Sequence, residues 1–303
     1  MNALPVQLGP GDAVGIVACS NPLSGMQRQE VVQLLSLLKG DFSLIPYCGR
    51  TLWADCLQDR PALLRAQDLM ELYANPCIKA IFDVSGGDLA NEILPYLDYE
   101  EIAADNKPFF GYSDLTTVIN TILQRTGKPS VLYQILNLVR DNALLQQKYF
   151  HSTMLGGRSS SDEIDWNFVQ GDYMQGILAG GNLRCLLKLA GTQYFPELTG
   201  RLLFLESLGG GPEQITTYLC QLKQMNAFDK ISGLLLGTFT RLEEQIGTEA
   251  SISLIRHTID KPNLPIAKTQ QIGHSSDSRC LVIGAQYTCR RLTSGRGMLN
   301  YIQ

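Results

Sequence analysis

The stretch Phe109-Phe110-Gly111-Tyr112-Ser113-Asp114-Leu115 places a serine between an apolar run and a helical pattern. The helical pattern consists of apolar residues at i, i+3, i+4, i+7 and i+8, which lie on one face of a helix: Leu115, Val118, Ile119, Ile122 and Leu123. Ser113 is therefore predicted at a strand-to-helix turn. Its hydroxyl can be exposed there, near the free N–H groups that begin the helix. A nucleophilic serine needs this placement, so the pattern predicts a serine-dependent hydrolase.

An activated serine also requires a base and a group that orients the base. His274 is the candidate base because it follows a short apolar segment in a polar loop, whereas His257 lies in a helical pattern and His151 opens a polar segment. Glu206 is the candidate carboxylate because it closes the apolar strand Leu202–Leu205. Strand ends followed by loops are where α/β folds place their sites. From the residues alone, a loop histidine without a role and a solvated glutamate stay open as alternatives.

The negative charge that develops on a substrate carbonyl requires backbone N–H donors that are already in position. The N–H of Asp114, one residue after Ser113, is the expected first donor. Gly86 or Gly87 is the expected second donor, because glycines after a strand let the backbone approach a ligand closely. A plain strand-to-helix turn is the alternative for these glycines. A phosphate site is disfavoured, since neither common glycine-rich phosphate motif occurs. Gly180-Gly181-Asn182 also opens a helix, and there Asn182 is as well explained by helix capping as by function.

The composition excludes several classes of protein. The chain has 303 residues, is 45% hydrophobic and carries a formal net charge of -4, which argues against nucleic-acid binding. No signal-peptide pattern and no apolar run of membrane-spanning length occur, so we expect a cytoplasmic protein. The eight cysteines form no C-x-x-C pair and are expected to be mostly buried free thiols. The three histidines are too scattered to predict a zinc site.

Strand-like runs alternate with helical patterns along the first half, which predicts an α/β fold with a mostly parallel sheet. The alternation breaks at a Ser-, Gly- and Asp-rich segment and resumes near Ile177. We therefore predict a domain over residues 1–152 that carries the nucleophile, a linker over 153–175, and a second α/β domain over 176–303 that carries Glu206 and His274. Trp166, in the predicted linker, and Trp53 are expected to pack, although either could serve as a platform for substrate.

The order and spacing of these motifs resemble the LD-carboxypeptidase family of serine peptidases over nearly the whole chain. The residues that carry the resemblance are Gly11-Asp12-Ala13-Val14-Gly15-Ile16-Val17-Ala18, Gly86-Gly87, Gly111-Tyr112-Ser113-Asp114-Leu115-Thr116, Gly180-Gly181-Asn182-Leu183, Leu203-Phe204-Leu205-Glu206 and Gly273-His274. The resemblance implies an N-terminal flavodoxin-like parallel sheet flanked by helices and a C-terminal α/β domain with a swivelling sheet. It also implies a homodimer that uses no metal and no cofactor.

Carried over residue by residue, the resemblance implies Ser113 as nucleophile, His274 as general base and Glu206 as the residue that orients the base. It implies that the N–H groups of Asp114 and of Gly86 or Gly87 form the oxyanion hole. The family's typical substrate is a murein tetrapeptide, from which the terminal D-alanine is cut during cytoplasmic peptidoglycan recycling.

Two departures from the family pattern bear on specificity. Gln214 and Thr217 stand where many members have arginines, and Gln134 lies where a Gly-Pro is common. Gln134, Gln214 and Tyr112 are therefore the candidate substrate contacts. A sister group, the microcin C immunity peptidases, cleaves aminoacyl-nucleotide antibiotics, and Tyr112 suits that group as well.

Two further alternatives stay open at this point. An ordinary α/β-hydrolase shares the order Ser, acid, His, but its turn normally has glycine two residues after the serine, where this chain has Leu115. A non-catalytic two-domain binding protein would use the same glycine turns without a reactive Ser113.

Overall fold

A computed structural model describes residues 4–156, 164–292 and 296–302. The helices in these residues are α1 (Gly25–Gly40), α2 (Ala62–Ala74), α3 (Tyr99–Ala104), α4 (Thr116–Thr126), α5 (Ala143–Phe150), α6 (Leu183–Leu187), α7 (Pro212–Gln224), α8 (Ala227–Lys230), α9 (Thr240–Ile246) and α10 (Thr248–Ile259). The strands are β1 (Ala13–Val17), β2 (Ile45–Cys48), β3 (Ile78–Asp83), β4 (Phe109–Gly111), β5 (Ser130–Leu132), β6 (Asp165–Gln170), β7 (Tyr173–Asn182), β8 (Leu202–Ser207), β9 (Gly233–Phe239), β10 (Ile266–Lys268), β11 (Leu281–Ile283), β12 (Gln286–Arg291) and β13 (Arg296–Ile302). None of these helices is long and apolar enough to cross a membrane.

The N-terminal sheet of the described chain has the strand order β11-β5-β4-β3-β1-β2. Strands β1 to β5 run parallel, in the order 2-1-3-4-5 of flavodoxin-like folds. Continuous apolar runs such as Ala13–Val17, which is buried throughout, form strands that helices cover on both faces. The predicted flavodoxin-like sheet is confirmed. In such sheets, ligands bind just outside the carboxyl ends of the strands. Here this edge is formed by the carboxyl ends of β1, β3 and β4.

The second sheet of the described residues closes on itself in the order β10-β6-β13-β12-β7-β8-β9. Strands β7, β8 and β9 are parallel neighbours, and their carboxyl ends carry Asn182, Glu206 and Phe239. Helices α6 to α10 connect or follow these strands. The predicted C-terminal α/β domain is confirmed as a mixed structure with its own sheet.

The segment 153–175, predicted as a linker, contributes strands to the second sheet. Strand β6 pairs with β10 and β13, and β7 begins at Tyr173. Trp166 is fully buried in β6 opposite Gly297, where a side chain would lie 3.0 Å from the Trp166 Cβ atom. Residues 157–163 of the segment lie outside the described residues. In this conformation Trp166 packs in the core, so it offers no surface on which a substrate could stack.

A strand from the C-terminal half also completes the N-terminal sheet. Leu281–Ile283 forms β11, which pairs antiparallel with β5. Its neighbours in sequence, β10 and β12, belong to the closed sheet. The two halves therefore share structure, and the domain boundaries stay a prediction.

Helix α4, which follows Ser113, is buried from Thr116 to Leu123. Its apolar residues are buried, which agrees with the predicted apolar face. Its polar residues face strand β7: the Asn120 side chain donates to the Gly180 carbonyl and accepts from the Gly180 N–H, both at 2.8 Å. The Thr116 hydroxyl accepts from the Asn182 N–H at 2.9 Å. These contacts attach the nucleophile helix to the second sheet.

The cysteines are free thiols in the structure, and four of them are buried: Cys19, Cys185, Cys280 and Cys289. Cys48 and Cys77 are exposed.

Candidate active site

Ser113 lies at a sharp turn between β4 and α4. Its φ of 57° is in the left-handed region, which residues other than glycine seldom adopt. A Cβ atom on Gly111 would lie 2.6 Å from the Cβ atom of Leu115, so the turn requires glycine before the serine. A single 3-10 turn, Ser113–Leu115, then leads into the helix. The predicted strand-to-helix placement of Ser113 is thus what the structure has.

His274 connects Ser113 to Glu206. Its Nε2 atom is 3.1 Å from the Ser113 Oγ atom, and its Nδ1 atom is 2.8 Å from Oε2 of Glu206. The Glu206 side chain is fully buried, so the hydrogen bond between its carboxylate and His274 is stronger than it would be in water. This geometry favours the tautomer in which Nδ1–H donates to Glu206 and Nε2 accepts from the serine hydroxyl.

Asn182 holds the second oxygen of Glu206. The Asn182 Nδ2 atom donates to Oε1 at 3.0 Å, and its Oδ1 atom accepts from the Cys185 N–H at 3.2 Å, which caps α6. The capping role expected for Asn182 is present, and the same amide fixes the carboxylate. Glu206 thereby has a partner on each oxygen.

Tyr112 packs beside the base. The ring is 4% exposed and meets the His274 ring edge-on, with centroids 5.1 Å apart and an interplanar angle of 67°. Burial raises the pKa of Tyr112 well above its usual value, and the charge of Glu206 raises it further. Tyr112 borders the cavity at Ser113, but most of its surface contacts the protein.

A buried carboxylate shapes the turn that contains Gly86 and Gly87. Asp83, at the end of β3, accepts from the Cys19 N–H at 2.7 Å and from the Ser85 N–H and O–H at 2.7 and 2.6 Å. Burial raises the pKa of Asp83, while its hydrogen bonds to Ser85 and Cys19 act in the opposite direction. These bonds tie the ends of β1 and β3 together beside Ser113.

Gly87 cannot be replaced without moving a neighbour. Its φ is 124°, and a Cβ atom there would lie 2.2 Å from Cγ of Asn21. The Asn21 side chain in turn accepts from the Asp88 N–H at 2.9 Å, and its backbone N–H donates to the Gly86 carbonyl at 3.2 Å. Gly86 has open space where a Cβ atom would lie. Both glycines line the cavity that contains Ser113 and His274.

The side chain of Asp114 has a structural role that its local sequence does not indicate. It is fully buried, accepts from the Ser20 hydroxyl at 2.6 Å and the Ala90 N–H at 2.8 Å, and forms an ion pair with Lys188. Lys188 also donates to the Asp88 carbonyl at 2.9 Å. This network anchors the turn after Ser113 to the loop after β1, to the loop after Gly87 and to the C-terminal end of α6. Nothing in the local pattern around Lys188 indicates the contact.

Two cavities meet at Ser113. The first, which we call the His274 cavity, has a volume of about 390 Å³ and is lined by Gln134, Asn137 and Arg140 as well as His274. The second, which we call the α9 cavity, has a volume of about 450 Å³ and is lined by residues that include Gln214. The two candidate substrate contacts Gln134 and Gln214 therefore lie in different cavities, which share Ser113 and Leu208.

The remaining histidines lie elsewhere. His151 and His257 are exposed, the first after α5 and the second on α10. Within the described ranges, no three His, Cys, Asp or Glu side chains lie together as metal ligands would.

Comparisons with known proteins agree with this architecture. Residues 14–133 match the model of the LD-carboxypeptidase N-terminal domain, and residues 175–289 match that of the C-terminal domain. The chain is 27% identical to a probable murein peptide carboxypeptidase of Bacillus subtilis (strain 168), covering 94% of this chain and 91% of the relative.

The chain is also similar to a self-immunity protein and to a carboxypeptidase of known structure. The chain is 24% identical to the microcin C7 self-immunity protein MccF of Escherichia coli, covering 93% of this chain and 92% of the relative. The structure of the muramoyltetrapeptide carboxypeptidase from Oxalobacter formigenes shares the fold, with a TM-score of 0.78 and 22% identity over 96% of this chain and 99% of that one. With both domain models matched in order, the protein belongs to the LD-carboxypeptidase family of serine peptidases.

Proposed function

We propose that this protein is a carboxypeptidase that cleaves the LD-peptide bond to the terminal D-alanine of murein tetrapeptides. The observation that carries the proposal is the chain of contacts from Ser113 Oγ to His274 Nε2 and from His274 Nδ1 to Glu206 Oε2. The B. subtilis relative, named a probable murein peptide carboxypeptidase, supports this substrate class. Peptidoglycan recycling in the cytoplasm is the corresponding role, and the homodimer stays a prediction.

In the proposed mechanism, Ser113 attacks the carbonyl carbon of the scissile amide while His274 takes the hydroxyl proton. Glu206 holds the Nδ1–H tautomer and stabilises the imidazolium that forms. The N–H groups of Asp114 and of Gly86 or Gly87 stabilise the oxyanion.

His274 then donates its proton to the amine of the departing D-alanine, which leaves an acyl ester on Ser113. A water molecule, deprotonated by His274, attacks this ester and releases the tripeptide. The net reaction consumes one water per amide bond and regenerates the serine hydroxyl.

The test is a product scan by mass spectrometry with tetrapeptides that carry lysine or diaminopimelate at position three. We expect release of D-alanine by the native protein. Replacing Ser113 or His274 by alanine should lower kcat by about 10⁶-fold, and replacing Glu206 by about 10⁴-fold, as in other serine peptidases. His257→Ala, an exposed histidine on α10, is the matched control and should keep full activity. Unchanged turnover by Ser113→Ala would refute the mechanism.

The second candidate is cleavage of an aminoacyl-nucleotide conjugate, as in the microcin-type group. Its support is the similarity to MccF over 93% of the chain and the absence of the common arginines at Gln214 and Thr217. Both candidates use the same acyl transfer to Ser113. An aminoacyl-sulfamoyl adenylate offered beside the tetrapeptides separates them, since the preferred substrate is the one with the higher kcat/KM. A non-catalytic binding protein would cleave neither, and Ser113 would form no adduct with a fluorophosphonate.

A further inference from the structure

The position of His274 assigns a direction to the substrate. His274 lines the first of the two cavities that meet at Ser113 and does not line the α9 cavity. The imidazole that deprotonates the serine must also protonate the leaving amine, so that amine has to lie within its reach. The departing amino acid therefore occupies the His274 cavity. The acyl part of the substrate then extends from Ser113 into the second cavity, the α9 cavity.

Two exposed side chains of opposite charge line the α9 cavity. Arg241 and Glu244 are exposed, lie one turn apart on α9, and both line the cavity. In the part of the chain that the structure describes, neither side chain forms a hydrogen bond or ion pair. The other arginine of the cavity, Arg184, is already bound to Asp88 and to the Gly87 carbonyl.

Two neutral side chains of this cavity, Gln214 and Tyr218, contact each other. Gln214 donates to the Tyr218 hydroxyl at 2.8 Å, so these two side chains satisfy each other on α7. Gln214 brings no charge to the cavity. The positive and negative charge that a ligand would meet here therefore come from Arg241 and Glu244 of α9.

We propose that the α9 cavity binds an acyl group whose side chain ends in an ammonium and a carboxylate together, and that this pair selects diaminopimelate over lysine at the scissile position. The proposal rests on the proposed function. Arg241 pairs with the carboxylate, since a guanidinium binds carboxylates through two parallel hydrogen bonds. Glu244 pairs with the ammonium. Lysine carries the ammonium alone and leaves Arg241 without a partner. The cavity volume of about 450 Å³ lies within the range of small-molecule sites.

The experiment measures kcat/KM for three tetrapeptides, which carry diaminopimelate, diaminopimelate with its side-chain carboxylate amidated, or lysine. We expect the native protein to prefer the first by about 2- to 5-fold, the size of one exposed ion pair. Arg241→Gln should abolish the preference by slowing only the diaminopimelate substrate. Glu244→Gln should slow all three, because each carries the ammonium. Glu249→Gln, an exposed glutamate on α10 outside both cavities, is the control and should change nothing.

The outcomes separate this inference from the proposed function. Equal kcat/KM for the three tetrapeptides, or an equal loss on all of them in Arg241→Gln, would overturn the inference and leave the carboxypeptidase in place. No turnover of any tetrapeptide, together with cleavage of aspartyl sulfamoyl adenosine, would overturn the proposed function and the inference that rests on it.

Discussion

The ion pair between Lys188 and Asp114 should be the most costly charged contact to remove near Ser113. The Asp114 side chain is fully buried and the Lys188 side chain is 18% exposed. Replacing Lys188 by methionine keeps the aliphatic stem and removes the charge. The carboxylate would then be left in the interior with two neutral donors, the Ser20 hydroxyl and the Ala90 N–H.

Breaking a buried pair by removing one partner costs about 3–5 kcal/mol, because the remaining charge is uncompensated. Water can reach the vacated position in part, since Lys188 is not fully buried, so we expect about 3 kcal/mol. At roughly 2 °C per kcal/mol for a chain of this size, Tm should fall by about 6 °C. Chemical denaturation measures the free energy, and calorimetry measures Tm.

The control is Lys223→Met. Its partner Asp260 is 3.7 Å away, and the two side chains are 39% and 78% exposed. An exposed pair of this kind contributes about 0–1 kcal/mol. The two substitutions are chemically identical, so the difference between them reports the burial of the carboxylate.

A double variant tests whether the unpaired charge of Asp114 causes the loss of stability. In Lys188→Met combined with Asp114→Asn, the amide oxygen still accepts from Ser20 and Ala90, and no charge remains unpaired. The double variant should recover at least about 1 kcal/mol relative to Lys188→Met. A loss below about 0.5 kcal/mol in Lys188→Met, or a double variant less stable than the single one, would refute the reasoning.

Two further predictions concern the loop beside the site. Gly87→Ala should lower both stability and kcat, because the new Cβ atom would overlap Asn21 at a φ of 124°. Gly86 has open space at this position, so Gly86→Ala should leave Tm nearly unchanged. Thermal unfolding compares the two variants, and equal Tm values would contradict the steric argument. The second concerns Asp88, whose pKa is lowered chiefly by its hydrogen bond with Arg184, against a smaller opposing effect of burial. A depressed carboxyl pKa stabilises the fold above its ordinary value of 3.8 and loses that contribution as pH falls through the folded-state pKa. The Tm deficit of Arg184→Met should therefore be constant from about pH 7 to 5 and shrink below about pH 4; a deficit that persists at low pH would show that the pair does not act through this charge.

Much of the fold follows from local patterns. The βα alternation of the first half predicts strands and helices there, and the structure has them, for example Ala13–Val17 and Ala62–Ala74. The spacing of apolar residues identifies such elements, because residues close in the chain decide whether one face or both faces of the element are buried. Strand β6 is not predicted because it follows a polar, glycine-rich segment that reads as a linker. Its pairing with β10 and β13 cannot be read from its own residues.

Three features of the site are predictable from the sequence, because each depends on contacts between residues close in the chain: the turn at Ser113, the carboxylate at the end of β8 and the glycine turn after β3. Tertiary structure decided which of these meet: His274 contacts Ser113 across 161 positions and Glu206 across 68. The burial of the polar face of α4, the ion pair of Lys188 with Asp114 and the separate cavities of Gln134 and Gln214 likewise depend on contacts between distant segments. Local periodicity records which face of an element is buried, but not which distant element covers it, so these contacts depend on the closed sheet packing against the parallel one.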